Sequence, residues 1–487
     1  MSERREWALA LAVAWVLVAV RSAVFVVYEQ SYFDADQAIV GLMAKHLAEG
    51  RALPLFFYGQ SYMLGVEAWL AAPWLWLFGP TVASLRLSLV ALNLATVTLM
   101  ITTLWRAVGL RPWHGLAATL CFAIAPPFTS ALLLEAQGGS IEPFVYVTVL
   151  WWLRRRPLWF GALLGIGFLN REFTAYAVPV ILLGQALTGR LWRPQAIRAW
   201  LLASVSFCAV WEGVNSLKPY ADLMGPGTRG QLLGGFAGSQ LADVSSRTSL
   251  SFSELPVRLV ATVSQLFALL VNGAALGGSV PQGHNWLWWP LMIGLGAAAL
   301  RLAWLVWRGG APTAERVAFC AYLCGVGVLA TVAYAATHVP DDGTMRYLLL
   351  MLLVPIGLVG GVLAIEASDR VRMVVVAVVL VWGVTAAADT GAFIRRYVSG
   401  SVPNEMREVA DALEARGLTV AEADYWRAYK LSFLTEERVR FASTDVVRIA
   451  EYQALAVRAG ESLRRLELSP CAGGEPIGRF FLCPAPR

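Results

Sequence analysis

Charged residues are scarce in this chain, and their scarcity excludes most soluble proteins. Only 15% of the 487 residues are charged, against about a quarter in a typical soluble domain. Hydrophobic residues make up 57% of the chain, which also has 20 tryptophans, and the mean hydropathy is +0.59. The sequence therefore indicates a polytopic α-helical membrane protein.

The chain also lacks the patterns of several other protein classes. None of its six cysteines forms a C-x-x-C pair, and its four histidines are widely separated. The net charge of +6 is spread over short clusters rather than gathered on one basic face. We therefore expect no metal, no cofactor and no nucleic-acid partner. The first apolar run continues past Val20 without a cleavage pattern, which indicates an uncleaved first span rather than a signal peptide.

Apolar runs and the positions of Lys and Arg together predict about eleven spans. The runs lie at residues 7–27, 82–104, 114–133, 141–153, 158–169, 173–188, 199–217, 286–307, 316–337, 346–365 and 373–393. Arginine clusters at 154–156 and 190–198 are both expected in the cytoplasm, so the chain between them should turn at 170–172 on the outer side. This topology places the N-terminus in the cytoplasm and the C-terminal tail outside a bacterial inner membrane.

The segment at 255–276 is apolar enough to span the membrane, but polar side chains interrupt it. These are Arg258, Gln265 and Asn272. Counting this segment as a span would invert the orientation of everything after it. We therefore interpret it as a helix at the membrane interface.

Residues 28–80 form a long insert between the first two spans and carry helical patterns. Apolar side chains recur at helical spacing from 36 to 50, which predicts a helix. Asp34 is its expected N-cap, and Gln37, three residues later, is expected to complete a capping box. A second helix is expected over 64–78.

Residues 397–487 are predicted to form a small α/β domain after a transmembrane module at 1–396. Charge density rises there, and helix-like and strand-like segments alternate. The segment 405–416 has the pattern of a helix, and 439–442 and 479–483 have the pattern of strands.

Cys471 and Cys483 are the only cysteines outside apparent spans. Both lie in the predicted outer domain, where an oxidising compartment favours a disulfide. Two free thiols are the alternative.

Charged side chains gather at the outer ends of the predicted spans. They are Asp34, Asp36, Glu67, Glu135, Glu142, Arg171, Glu172, Asp341, Asp342 and Arg346. Placing a charged side chain near a membrane costs free energy, so a concentration of charges on one side indicates a functional site. Membrane topology alone, however, also places polar residues in loops. A carboxylate facing an arginine suits transfer to a hydroxyl from a phosphate-bearing, membrane-borne donor.

The stretch at 32–50 resembles the first outer loop of the GT-C membrane glycosyltransferases. Within that group it is most similar to the dolichyl-phosphate-mannose protein mannosyltransferases and the bacterial aminoarabinose transferase. Further similar stretches lie at 57–63, 67–73, 165–172, 346–355 and 423–435.

The resemblance implies an inverting glycosyltransferase that uses a polyprenyl-phosphate sugar and an acceptor hydroxyl outside the membrane. Family members use an acidic residue of this loop as the general base, and Asp36 matches it. Many members have a glutamate at the next position, where this chain has Gln37. Asp34 is then the candidate for a second carboxylate, with an N-cap as its alternative role.

The resemblance also implies which residues bind the donor. Arg171 lies where bacterial members carry a cation near the donor phosphate, and its alternative role is an ion pair with Glu172 or an interface anchor. Arg346 is a second phosphate candidate, with snorkelling to the interface as its alternative. Candidates to line the substrate site are Tyr58, Gln60, Tyr62, Glu67, Glu142 and Glu172. The alternative role of the first three is interface anchoring, which is the commoner role of such residues, and that of Glu67 and Glu142 is a helix cap or an ion pair with a cation such as Arg86.

Two other functions stay open at this point. A transporter also has many spans and charges near a cavity, but it typically has inverted repeats and broken helices at matching positions, which we do not find. A non-catalytic membrane scaffold is the second alternative, and Gln37 is its only support. The sequence does not identify the sugar or the acceptor, which is a protein, a lipid or a glycan.

Overall fold

The protein is described by a computed structural model that covers residues 2–232, 254–271, 288–337, 344–400 and 402–485. Helices dominate these ranges, and a small sheet lies near the C-terminus. Asp341 and Asp342, two of the acidic residues expected near the site, lie outside the described residues.

Eighteen α-helices precede or alternate with five short strands in the described ranges. The helices are α1 (Glu3–Val27), α2 (Ala35–Ala48), α3 (Val66–Phe78), α4 (Val82–Thr103), α5 (Pro112–Ala123), α6 (Pro127–Leu132), α7 (Glu142–Leu153), α8 (Pro157–Asn170), α9 (Ala177–Leu187), α10 (Pro194–Ser216), α11 (Leu255–Val271), α12 (Trp288–Arg316), α13 (Ala318–Thr337), α14 (Leu353–Ile365), α15 (Asp369–Val398), α16 (Glu405–Ala415), α17 (Tyr425–Leu434) and α18 (Ala450–Ala459). The strands are β1 (Val420–Ala423), β2 (Arg440–Ser443), β3 (Arg464–Glu467), β4 (Glu475–Ile477) and β5 (Phe480–Pro484).

In the described part of the chain, seven helices are long and apolar enough to cross a membrane. They are Glu3–Val27, Val82–Val108, Pro194–Tyr220, Trp289–Arg316, Ala318–Thr337, Met345–Ile365 and Asp369–Val398. The spans predicted at 141–153, 158–169 and 173–188 form helices of only 12, 14 and 11 residues. The polytopic helical class is therefore confirmed, whereas the count of about eleven spans is not.

The run predicted as one span at 114–133 is divided into two helices. α5 ends at Ala123 and α6 begins at Pro127. Pro126 precedes another proline, and a residue before proline is disfavoured in helical conformation. Proline suits the first turn of a new helix because that turn does not use its amide hydrogen.

α2 begins where the sequence predicts, at an N-cap formed by Asp34. Its Oδ1 accepts a hydrogen bond from the amide of Gln37 at 3.0 Å. The predicted capping box is wrong, because the side chain of Gln37 donates from Nε2 to the carbonyl of Tyr32 at 2.8 Å instead. Tyr32 has a positive φ of 53°, and this turn brings its carbonyl within reach. The helix is followed by Gly50, whose φ is 67°.

The helical bundle has two distinct ends. The turn at 170–172 and the first loop meet at one end, where the amide of Leu64 donates to the carbonyl of Leu169 at 3.0 Å. At the opposite end Arg190 pairs with Glu315, near clusters predicted to be cytoplasmic. We call these the site end and the arginine-rich end. Which of them faces outward stays a prediction.

α11 occupies most of the segment predicted as an interfacial helix. The carbonyls of Leu269 and Leu270 accept hydrogen bonds from Thr129 Oγ1 and Trp382 Nε1, at 2.5 and 2.7 Å. The end of α11 is therefore buried in the bundle. Its interfacial position stays a prediction, and the rest of the predicted segment, 272–276, lies outside the described residues.

The C-terminal region contains a five-stranded sheet in the order β2-β1-β3-β5-β4. β1 pairs in parallel with β2 and β3, and β5 is antiparallel to β3 and β4. α16, β2 and β5 lie within one or two residues of the predicted helix and strands. Cys471, which precedes β4, forms a disulfide with Cys483 in β5, with their Cα atoms 6.0 Å apart.

Candidate active site

The two aspartates predicted for catalysis lie where the first loop meets the C-terminal region. Asp34 caps α2, and Asp36 is in its first turn. The hydroxyl of Tyr425, in the first turn of α17, donates a hydrogen bond to Asp36 Oδ1. In the part of the chain that the structure describes, no residue donates to Asp36 Oδ2. One carboxylate oxygen of Asp36 is therefore available to a further partner.

Gln137 connects Asp34 to a second acidic residue. Its Nε2 donates to Asp34 Oδ2 and to Glu135 Oε1, in both cases at 2.6 Å. Burial raises the pKa of Glu135 to about 8, so this carboxyl is largely protonated at neutral pH. Burial also raises the pKa of Asp34, against the opposing effect of the hydrogen bond from Gln37. The cluster thus contains three acidic side chains in different environments.

Two cations face this acidic cluster from different parts of the chain. Arg346 approaches Glu135, with 3.5 Å between NH1 and Oε1, and its NH2 donates to the hydroxyl of Tyr347 at 3.0 Å. Its Nε is buried without a hydrogen-bond partner among the described residues. Lys430, on α17, donates to the carbonyl of Phe33 at 2.7 Å, and burial lowers its pKa. Arg346 therefore has an N–H group with no partner, close to the acids.

Arg171 is also at the site end, but it contacts backbone. Its Nε donates to the carbonyl of Gly138 at 2.5 Å, and its NH2 donates to the carbonyl of Gln137 at 3.2 Å. The side chain packs so closely that a Cβ on Gly139 would overlap Arg171 Cγ. Arg171 thus holds the loop that presents Gln137. A direct phosphate contact stays a prediction.

Glu67 and Glu142 hold the same loop from the other side. Glu67 Oε2 accepts from the amide of Gly138 at 2.5 Å, and Glu142 Oε2 accepts from the amide of Gly139 at 3.2 Å. Both side chains are buried, and burial raises the pKa of each carboxyl. The negative charge of Glu142 further raises the pKa of Glu67. Their predicted contact with sugar hydroxyls stays a prediction.

The other predicted lining residues lie at the edges of this region. Tyr58 is fully buried, and its hydroxyl is 3.1 Å from His46 Nδ1, near the far end of α2 from Asp36. Gln60 lies in a tight turn, where its backbone amide donates a hydrogen bond to the carbonyl of Phe57 at 2.9 Å. Tyr62 is buried in the hydrophobic core. Glu172 opens the short helical turn that follows Arg171.

A charge network absent from the sequence predictions joins the C-terminal region to α2. Glu437 Oε2 contacts Lys45 Nζ at 2.6 Å and Arg51 NH1 at 2.7 Å. Glu437 Oε1 contacts His46 Nε2 at 3.0 Å and accepts from the Tyr452 hydroxyl at 2.8 Å. Burial alone would raise the pKa of Glu437, but its hydrogen bonds with His46 and Lys45 hold the pKa far below its usual range. We call this cluster the docking network.

Three residues at the candidate active site were missed by the sequence prediction. Tyr425 and Lys430 lie in the stretch 423–435 that carries the family resemblance, so a signal for them was present. Gln137 follows Glu135 by two residues, but no pattern marks an amide as a bridge between two acids. In the described residues, no group of three or more His, Cys, Asp or Glu side chains is placed to hold a metal ion.

Comparison with known proteins finds likeness at the level of the fold. No family model matches the chain, and no curated protein matches it. Among solved structures it is similar to ArnT from Cupriavidus metallidurans bound to undecaprenyl phosphate, with a TM-score of 0.61 and 13% identity over 98% of this chain and 97% of that one. The apo state of the same ArnT gives a TM-score of 0.55 and 11% identity over 97% of each chain. The predicted GT-C-like fold is therefore confirmed.

Proposed function

We propose that the chain is a membrane glycosyltransferase that takes a sugar from a polyprenyl-phosphate carrier and transfers it with inversion to an acceptor hydroxyl. The observation that carries this proposal is the available oxygen of Asp36, which interacts electrostatically with Arg346, within a fold shared with ArnT. One ArnT structure contains undecaprenyl phosphate, which supports a carrier of the same class for this chain.

In the proposed reaction Asp36 is the general base. A hydroxyl is a poor nucleophile at neutral pH, so it must lose its proton as it attacks the sugar carbon. Oδ2 of Asp36 accepts that proton, while Tyr425 keeps Oδ1 in place. The N-terminal end of α2 favours negative charge at this position. The bond between the sugar carbon and the phosphate oxygen breaks, and the carrier leaves as a phosphate.

Asp34 is less suited to the base role than Asp36. Both of its oxygens accept hydrogen bonds, from the amide of Gln37 and from the side chain of Gln137. Its raised pKa also favours the protonated form relative to an ordinary aspartate. We therefore assign Asp34 a positioning role, as the cap of α2 and the partner of Gln137.

Arg346 is the stronger candidate to bind the departing phosphate. Its guanidinium adjoins the acidic cluster and has a buried Nε without a partner among the described residues. Arg171 already uses two N–H groups on backbone carbonyls. We propose that Arg346 stabilises the phosphate charge and that Arg171 acts mainly by holding the loop of Gln137.

A transfer assay with the purified full-length chain tests this function. The protein is incubated with a panel of polyprenyl-phosphate sugars, and release of free polyprenyl phosphate is measured by mass spectrometry. We expect turnover with at least one donor, and we expect lipid that copurifies with the protein to include a polyprenyl phosphate. Folded protein that releases none, but moves a labelled solute across proteoliposomes, would favour a transporter instead.

A further inference from the structure

A pocket lined by three arginines lies at the arginine-rich end of the bundle, away from Asp36. Arg301, Arg308 and Arg316 line it, and its volume is about 630 Å³. Glu366, which also lines it, directly follows α14. The opposite end of that hydrophobic segment begins at Met345, beside the Arg346 of the candidate active site. The pocket and the candidate active site are thus separated by the length of a membrane-spanning segment.

The pocket has more positive than negative charge. Among the described residues, Glu366 is the only acidic one that lines it, and its Oε2 is 2.7 Å from Arg301 Nε. Arg308 has no carboxylate partner in the described ranges. The guanidinium carbons of Arg301 and Arg308 lie 4.5 and 4.7 Å from the centre of the same Trp304 ring. An anion bound near these guanidinium groups would offset their positive charge.

Arginines at the ends of spans are common, and membrane topology alone explains many of them. In this bundle, however, a second cavity adjoins the first. It is apolar, has a volume of about 290 Å³, and lies between α5, α12, α14 and α15. Arg301 lines both cavities. A cationic pocket that opens beside an apolar cavity matches a ligand with a negative head and a hydrocarbon tail.

We propose that these two cavities bind one anionic phospholipid. Its headgroup phosphate lies among Arg301, Arg308 and Arg316, and one acyl chain enters the apolar cavity. Free phosphate has no hydrocarbon chain that could occupy the apolar cavity. A carrier phosphate at this site would be a membrane-spanning distance from Asp36, where transfer must occur. Basic pockets between membrane helices are known to hold anionic lipid headgroups.

Native mass spectrometry of the full-length protein in detergent tests the headgroup pocket. The protein is titrated separately with phosphatidylglycerol, with phosphatidylethanolamine and with undecaprenyl phosphate. We expect phosphatidylglycerol to bind more tightly than phosphatidylethanolamine, and Arg308→Gln to weaken its binding about fivefold. Arg198→Gln removes an exposed arginine outside the pocket and should leave binding unchanged. Equal binding of the two phospholipids, or an unchanged affinity in Arg308→Gln, would overturn the proposal.

A second variant tests the cavity for the acyl chain. Gly294 lines this cavity, and a Cβ added there meets no atom within 4 Å. Gly294→Leu should therefore fill the cavity without disturbing the helix, and it should lower occupancy by phosphatidylglycerol severalfold at unchanged thermal stability. Full occupancy in this variant would show that no chain enters the cavity. Loss of undecaprenyl phosphate alone from both variants would assign the site to the carrier and also overturn the proposal.

Discussion

The two ends of α2 carry buried or half-buried charge, but they use it differently. At the far end Lys45 and His46 are buried, and both contact Glu437 in the docking network. At the N-terminal end Asp36 is half-buried and accepts a hydrogen bond from Tyr425 on one oxygen. Buried charge that is fully paired contributes to holding a structure together. Charge with an unused oxygen or N–H group is available for chemistry.

This difference lets the two ends of one helix be tested separately. Changes in the docking network should alter stability first and activity only as a consequence. A change at Asp36 itself should alter activity with little loss of stability. A variant of the docking network that lowers activity without lowering stability would contradict this difference between the two ends.

The largest expected effect on stability is at Glu437. Glu437→Gln leaves Lys45 and Arg51 without their buried carboxylate, and breaking such a pair costs about 3–5 kcal/mol. Thermal unfolding of the purified chain should therefore shift to a clearly lower temperature.

The neighbouring residue supplies the control. Glu436→Gln changes a side chain that is 41% exposed and pairs with the similarly exposed Arg438. We expect a change within about 0.5 kcal/mol, because exposed pairs contribute little. Equal destabilisation by the two variants would contradict a structural role specific to Glu437.

The next effect is at the proposed phosphate contact. Arg346→Gln should lower kcat/KM about 100-fold or more, since a lost charge-stabilising donor typically costs that much. Arg171→Gln should lower it less, because the loop keeps its hydrogen bonds to Glu67 and Glu142. Initial rates measured over a range of donor concentrations distinguish the two variants. A larger loss in Arg171→Gln would return the phosphate role to Arg171.

A smaller effect on turnover is expected from a change in the loop that presents Gln137. Gly139 has a φ of 93°, and a Cβ there would overlap Arg171 Cγ. Gly139→Ala should cost about 1–3 kcal/mol in strain and displacement, and we expect turnover, measured in the transfer assay, to fall because Gln137 moves with the loop.

Gly79→Ala is the matched control for backbone conformation. Gly79 has a φ of 85°, but a Cβ there meets nothing within 4 Å. Turnover in this variant should stay close to that of the unmodified protein. If both substitutions reduce turnover equally, the packing of Arg171 is not what positions the loop.

The most gradual expected effect is a dependence of stability on pH. The pKa of Glu135 is about 8 in the folded protein, above the ordinary value of 4.5. Between these values the folded state keeps a proton that the unfolded chain has lost, so stability falls as pH rises. The slope from this residue is at most about 1.4 kcal/mol per pH unit. Unfolding temperatures from pH 5 to 9 should vary less in Glu135→Gln, and an identical profile would contradict the raised pKa.

The sequence predicted the elements whose signals are local. The helix after Asp34 has a cap, a helical repeat and a terminal glycine, and the structure contains that helix. Arg171 was correctly placed at a turn between two helices. Charge placement and apolar runs were sufficient for these features.

The sequence did not predict features that depend on distant contacts. Tyr425 is 389 residues from Asp36, and Glu437 is 391 from His46, so no spacing rule connects either pair. Gln37 satisfied the pattern of a capping box, in which its side chain would accept a hydrogen bond, but a turn with positive φ at Tyr32 gave the side chain a carbonyl to which it donates instead. Such competition is decided by the tertiary structure.

The proposed role of Asp36 as the general base is tested most directly by one pair of measurements on a single variant. Single-turnover transfer and donor-lipid binding are measured for Asp36→Asn, with Asp411→Asn, an exposed change on α16, as the control. We expect Asp36→Asn to lower the transfer rate by roughly 10² to 10⁴-fold, with donor binding and unfolding temperature nearly unchanged and the control fully active. A near-normal transfer rate in Asp36→Asn would contradict the role of this carboxylate as the base.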